Sequence, residues 1–368
     1  MQSKITAIGT ANPPFKRSQQ ETAELISEAF ALRPAQKRIL TAIYKASGIE
    51  TRYSVISDFS KAAGEFNFFP NDPAKEFPTT AERMKLYHTH ALPLALAAIK
   101  DCISNSDACD IKKITHLITV SCTGMYAPGI DIEIIQKLEL NPSTKRTTVN
   151  FMGCYGAFNG LKIADAFCRA EPNAKVLLVC IELCSIHFQK NFALENLISN
   201  AIFSDGAAAV LVQAHSNHHK QLKINSFHCD LIPQTNQEMA WSIADYGFDI
   251  VLSSYVPKII KTGIAAFTKK LLNQSNDALS EVDFYAIHPG GIKILQACEE
   301  ALPISVEDNK HSYDVLRNFG NMSSATILFV LKNIWNSLDS SDDNKNIFSC
   351  AFGPGLTLES MLLTTQCN

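Results

Sequence analysis

The feature that most constrains this chain is that its sequence echoes itself. In the first half, IKKITHLITVSCTG leads to NFMGCYGAFNGLKIADAF and then AKVLLVCIELC. In the second, LSEVDFYAIHPGG leads to RNFGNMSSATILFVLKNIW and then NKNIFSCAFGPG. Ser121 lies 33 residues before Cys154, and His288 lies 33 residues before Asn321. Each half therefore offers a strand, a turn, a helix-opening turn and a second strand in one order, as two duplicated βαβ-rich units would. The echo divides the chain into halves at 1–214 and 215–368 and places Cys154 and Asn321 at equivalent points.

The local pattern agrees with an α/β fold. Short apolar runs at 116–120, 175–180, 207–212, 284–287, 347–352 and 356–363 read as buried strands, and 80–104 carries apolar residues at helical spacing. The stretches 217–223 and 338–346 are polar enough to be exposed loops. With 33 basic against 36 acidic side chains, the chain has no basic field for nucleic acid or an anionic membrane. No charged segment leading into an apolar core opens the sequence, and no apolar run is long enough to span a bilayer, so a cytoplasmic protein is expected. The 11 cysteines are scattered through apolar runs and read as reduced core thiols. Cys180, Cys184 and His187 have ligand-like spacing, but Cys180 ends a core strand, and a core reading is preferred to a metal site. His215, His218 and His219 crowd a polar loop without a sign of function.

Three residues could carry chemistry. Cys154 follows a β-like run and precedes a helical one, so it opens a helix, where free N–H groups and the macrodipole favour a thiolate. His288 ends an apolar strand before Pro-Gly-Gly, at the strand edge where α/β sheets build ligand crevices. Asn321 stands at another loop-to-helix junction. Each has an ordinary alternative: a small core residue, a satisfied buried imidazole, a helix cap. Brought together by a pseudo-twofold, the thiol, imidazole and amide suit acyl transfer through a thioester. No phosphate loop or dinucleotide fingerprint occurs.

The phrases IGTANPP, MGCYGA, FSDGAAA, IHPGG, GNMSSAT and FGPGLTLE stand in the order and spacing of the type III polyketide synthases, the family of chalcone and stilbene synthases, and the chain resembles that family over nearly its whole length. The resemblance implies a thiolase-like five-layered αβαβα fold, a homodimer, and starter acyl-CoA and malonyl-CoA as substrates, without metal, flavin or nicotinamide. It neither requires nor excludes an acyl carrier protein. By motif, Cys154 resembles the nucleophile, His288 the partner that keeps it ionised, and His288 with Asn321 the donors to the thioester oxygen. Phe203 matches a gatekeeping phenylalanine and Pro354 the loop that walls the cavity, with Thr123 and Ser323 expected to line it. The chain departs from plant chalcone synthases at three cavity positions: His187 replaces a threonine, Trp241 a glycine and Ile250 a second phenylalanine. Lys45, Arg38 and Lys293 are candidates for coenzyme A. The alternative is a ketoacyl synthase III or another single-condensation thiolase-fold enzyme. A non-catalytic acyl-binding relative is argued against by the intact Cys, His and Asn.

Overall fold

The computed structural model describes residues 2–72, 74–104, 110–216, 218–274 and 278–367. The first half runs β1 (Lys4–Ala11), β2 (Phe15–Ser18), α1 (Gln19–Ala29), α2 (Pro34–Ala46), β3 (Thr51–Ser54), α3 (Thr80–Ser104), β4 (His116–Ser121), α4 (Ile130–Leu138), β5 (Lys145–Asn150), α5 (Gly156–Ala170), β6 (Lys175–Leu183), α6 (Leu194–Ile202) and β7 (Asp205–Gln213). The second runs β8 (Lys220–Leu231), β9 (Met239–Ala244), β10 (Gly247–Leu252), α7 (Val256–Asn273), β11 (Phe284–Ile287), α8 (Ile292–Ala301), α9 (Lys310–Phe319), α10 (Thr326–Ser337), β12 (Asn346–Gly353) and β13 (Thr357–Cys367).

Alternating faces of the apolar strands make the layers. Ile118, Val120, Val176, Leu178, Val210 and Val212 point to one side of β4, β6 and β7, where they meet α5 and α10; Ala286, Ile347, Met361 and Leu363 of β11 to β13 reach the same two helices from the other side. The first half of α10, TILFVL, is buried on all sides between the two strand sets, as such a sequence must be. The opposite face of the first set, Leu117, Leu177, Val179 and Leu211, packs on α3, and that of the second, Tyr285, Ile287, Phe348 and Leu362, on α7 and α8. The result is helices, sheet, helices, sheet, helices. The strands run in the order β11, β12, β13, β8, β1, β7, β6, β4, β5, and the two sets meet only where Lys4 and Ile5 of β1 pair with Lys223 and Leu222 of β8.

The expected helix is α3 in full, and the six expected strands are all present, most of them longer by one to four residues. Of the expected loop at 217–223, Asn217 lies outside the described residues and Lys220 to Lys223 open β8 instead, because Leu222 is buried and pairs with both Ile5 and Thr365. The second loop holds a short helical turn, Ser340–Asp342. The echo is real but its register is not the expected one. α5 is entered through the turn Gly153–Tyr155 and α10 through the turn Ser323–Ala325, and each turn starts at a left-handed residue, Gly153 at φ 75° and Ser323 at φ 47°. The counterpart of Cys154 is therefore Ser324, three residues beyond Asn321. The equal spacings coincide because α4 and β5 intervene in one half, and α8 and α9 in the other. None of the ten described cysteines is in a disulfide, but Cys229 is exposed rather than in the core, and Cys109 lies outside the described residues.

Candidate active site

The turn that presents Cys154 depends on two left-handed residues, Phe151 at φ 59° and Gly153. A side chain at Gly153 is excluded twice, by its φ and because a Cβ there would stand 2.3 Å from Pro354 Cδ. Pro354 thus closes directly over the turn. Cys122, at the end of β4, braces it from the other side: its Sγ accepts the Gly153 N–H at 2.9 Å.

Asn321 is held by its backbone before its side chain acts. Its N–H donates to Ile202 O and its carbonyl accepts the Ser204 N–H, both at 2.9 Å, forming a bridge between Phe203 and Asn321 that joins the halves at the site. Its Oδ1 accepts the Ser323 N–H at 2.8 Å and the Thr326 hydroxyl at 3.3 Å. With the oxygen engaged, Nδ2 is the end left to donate, and it lies 3.8 Å from Cys154 Sγ.

His288 follows β11, with its N–H on Cys350 O and its ring buried; neither ring nitrogen has a hydrogen-bond partner. Cys154, His288 and Asn321 line one cavity of about 360 Å³. Burial pushes the Cys154 thiol up to about 12, against hydrogen bonds from Asn321 and Ser323 that lower it, and burial holds His288 down to about 3. A proton passed from thiol to imidazole turns two neutral groups into an ion pair, and the attraction within the pair offsets part of the desolvation of its two charges.

The same cavity is lined by Phe203, Trp241, Ile250, Ser323, Pro354 and Lys293. Trp241 and Ile250 face each other across the β9 and β10 ribbon. That ribbon is pinned to the start of α3, where Thr80 N–H donates to Asp245 O and Thr80 Oγ1 accepts the Gly247 N–H, both at 2.8 Å. Four expected residues are not in the lining. His187 is a satisfied core histidine, its Nε2–H donating to Thr123 O at 2.7 Å and its Nδ1 accepting the Phe248 N–H at 3.0 Å, with the ring stacked on Phe248 at 4.1 Å. Thr123 is fully buried beneath the cavity. Arg38 and Lys45 are exposed on α2, whose Ile43, Ala46 and Ser47 line the cavity in their place.

Sequence reasoning missed Glu182, the only charged residue between Val176 and Leu183 of β6 and fully buried. Its carboxylate accepts the Cys122 N–H at 3.0 Å, the Thr123 hydroxyl at 2.8 Å and the Ser324 hydroxyl, with no cation in its hydrogen-bond set. Burial raises it to about 7. A lone carboxylate in an otherwise apolar strand was the available signal.

A thiol, an imidazole and an oriented amide in an apolar cavity can accept an acyl group and stabilise charge on its carbonyl oxygen. Comparison with known proteins agrees with that chemistry: the models for the N-terminal and C-terminal domains of chalcone and stilbene synthases match residues 2–216 and 223–366. The chain belongs to the chalcone and stilbene synthases. This type III polyketide synthase is 33% identical over 362 residues to the alpha-pyrone synthesis polyketide synthase-like protein Pks18 of Mycobacterium tuberculosis, covering 97% of this chain and 90% of that one. Its fold matches PKS-I of the brown alga Ectocarpus siliculosus with a TM-score of 0.91 at 29% identity, over 99% of this chain and 98% of that one. It matches the C-terminal type III domain of Steely1, a type I/III hybrid from Dictyostelium, at 0.90 and 28% identity over the whole of both. The synthase is thus an acyltransferase with the thiolase-like fold, loading an acyl-CoA starter on a cysteine, extending it with malonyl-CoA and releasing a cyclised product.

Proposed function

We propose that Cys154 is that cysteine and that His288 and Asn321 are its partners. In loading, the Cys154 thiol gives its proton to His288 while sulfur bonds to the starter carbonyl and the C–S bond to coenzyme A breaks. In extension, malonyl-CoA loses carbon dioxide, and the electron pair of the broken C–C bond becomes an enolate whose oxygen takes hydrogen bonds from Asn321 Nδ2 and His288. The enolate carbon then attacks the acyl-Cys154 carbonyl, and Cys154 sulfur leaves. The observation that carries this reading is the orientation of Asn321: Ser323 and Thr326 hold its oxygen, so a neutral donor faces the thiol and adds no negative charge near the enolate. Repeated extension followed by lactonisation needs no further group, and an α-pyrone is the product class we assign, as the name of the mycobacterial relative records for that protein.

No tightly bound cofactor enters these steps. Lys293, at the cavity mouth, and Arg38 and Lys45, on the helix beside it, are assigned to the phosphates of coenzyme A. We further propose a homodimer across β5, which is the edge strand of the sheet, with Met125 and Met152 exposed near it. The boundary between halves is set at 214/215. A cytoplasmic location follows from coenzyme A thioesters as substrates; no described helix is long and apolar enough to cross a membrane. Intact-mass analysis tests the central step: incubation with acyl-CoA adds one acyl group to the protein and none to Cys154→Ala, and an equal adduct on the variant would assign the wrong thiol.

A further inference from the structure

Among the described residues, the largest fully buried side chain is charged: Arg83, in the first turn of α3. Backbone carbonyls hold it. Its Nε donates to Pro78 O at 2.8 Å and its Nη1 to both Ile186 O and Phe188 O, the latter at 3.0 Å, while Nη2 has no partner. The carboxylates it feels, Asp249 and Glu82, are not bonded to it, and burial lowers it only to about 10, so it stays a cation at neutral pH. A buried cation without a bonded anion is costly, and an apolar side chain of similar volume would serve the core at least as well. Its position has a use other than packing.

Ile186 and Phe188 flank His187, so the two Nη1 bonds fix that residue from both sides. The His187 ring then accepts the Phe248 N–H, stacks on Phe248 and stands edge-on to Trp241 at 6.2 Å. The guanidinium also lies against the β9 and β10 ribbon directly: at Gly247, with φ 113°, a Cβ would meet Arg83 Cδ and Nε at 3.1 Å. One side chain therefore ties the start of α3, the turn at 186–188 and the ribbon. That ribbon is a partition. Phe203, Trp241 and Ile250 line both the cavity of about 360 Å³ and a separate space of about 40 Å³, and of these two spaces His187, Phe188 and Phe248 line only the smaller. Arg83 lines neither, yet it holds the residues on which the partition rests.

We infer that Arg83 is a positioning residue that sets how many times the acyl chain is extended, by fixing the partition formed by Trp241 and Ile250. The inference rests on Cys154 being the acyl carrier. It is tested with hexanoyl-CoA and malonyl-CoA, by resolving products that differ by acetate units beside intact-mass measurement of the loaded protein and a thermal melt. Coupling through such a chain of contacts changes an equilibrium by about 2- to 30-fold, so Arg83→Met should move the ratio of longer to shorter products by a factor in that range while the starter still loads on Cys154. Arg83→Gln takes its place should the methionine variant fail to fold. Arg83→Lys keeps a cation for the carbonyls of Ile186 and Phe188 without the planar fork, and should recover part of the parent ratio. Ile134→Ala, which truncates the buried face of α4, is the control: it should melt lower and leave the ratio alone. An unchanged ratio in the folded Arg83 variant, a lysine variant no nearer the parent, or an equal change in Ile134→Ala overturns the inference and leaves the nucleophile assignment intact. An acyl group found on a residue other than Cys154 in the parent overturns that assignment instead.

Discussion

Asn321→Ala is the sharpest test of the site, because the structure separates what the residue does for chemistry from what it does for folding. Its Nδ2 is the donor 3.8 Å from Cys154 Sγ, and its Oδ1 is the acceptor that satisfies the buried Ser323 N–H at 2.8 Å. Removing one donor of this kind costs about 10² to 10³ in rate, roughly 3–4 kcal/mol of barrier. Alanine also leaves the Ser323 N–H without its partner, which costs about 1–3 kcal/mol of stability. Asn321→Asp keeps that acceptor but replaces the donor by an anion, so it should retain the stability that alanine loses and still fail in decarboxylation by at least the same factor. The assay is release of carbon dioxide from malonyl-CoA without starter, read beside intact-mass measurement of starter loading and a thermal melt. Loading of Cys154 should persist in both variants. If Asn321→Ala released carbon dioxide within about threefold of the parent, the amide would be only a turn-forming residue, because a true oxyanion donor is worth far more.

Four further outcomes are expected. His288→Ala should abolish decarboxylation and slow alkylation of Cys154 by iodoacetamide at neutral pH, its midpoint moving upward because burial raises the thiol and the imidazole no longer takes its proton; an unshifted midpoint would separate His288 from the nucleophile. The His187 ring, which burial holds down to about 3, should stay neutral with its proton on Nε2 in nitrogen-correlated NMR. Its contribution to stability is then complete above about 6.5 and is lost as the pH falls toward 3; a midpoint near 6.5 in the folded protein would contradict the geometry. Gly153→Ala forces a Cβ onto Pro354 and should lose activity and melt lower, with Pro354→Ala in the same chain recovering part of the stability. Trp241→Gly merges the cavity with the space behind it and should admit longer starters or extra extensions, shifting product masses upward by acetate units; unchanged products would place the end wall elsewhere.

What was legible in the sequence was whatever a local pattern fixes. Strands buried on both faces, such as VLLVC in β6, read as apolar runs, and the step from a β-like run to a helical one marked the junction at Cys154. Trp241 and Ile250, which the resemblance placed at the cavity, face each other across a short ribbon and line that cavity together. Less legible was anything decided by a distant partner. His187 could not be told from a cavity residue, since its fate rests on Thr123 and Phe248, far away in the chain. The ribbon strands β2, β3, β9 and β10 gave no strong period, being short and half exposed. The register of the internal echo failed for a related reason: equal counts of residues were filled by unlike elements.

The site also explains why a duplicated fold places its chemistry where the halves meet. The first half supplies the thiol, and the second supplies the imidazole and the amide, so no half holds a site alone. The bonds from Asn321 to Ile202 and Ser204 fix the amide and set Phe203 beside it, tying the cavity wall and the donor to one pair of backbone contacts. Beneath them Glu182 gathers Cys122 and Thr123 from one half and Ser324 from the other, including the residue that is the true counterpart of Cys154. An ionised carboxylate there raises the Cys154 thiol and opposes the nucleophile. Burial limits that opposition: with Glu182 raised to about 7, part of the population carries a proton near neutrality, and the field against a thiolate falls while the hydroxyls of Thr123 and Ser324 can still pair with the acid. The burial that makes Glu182 costly to ionise therefore lets it join the halves without silencing the cysteine above it.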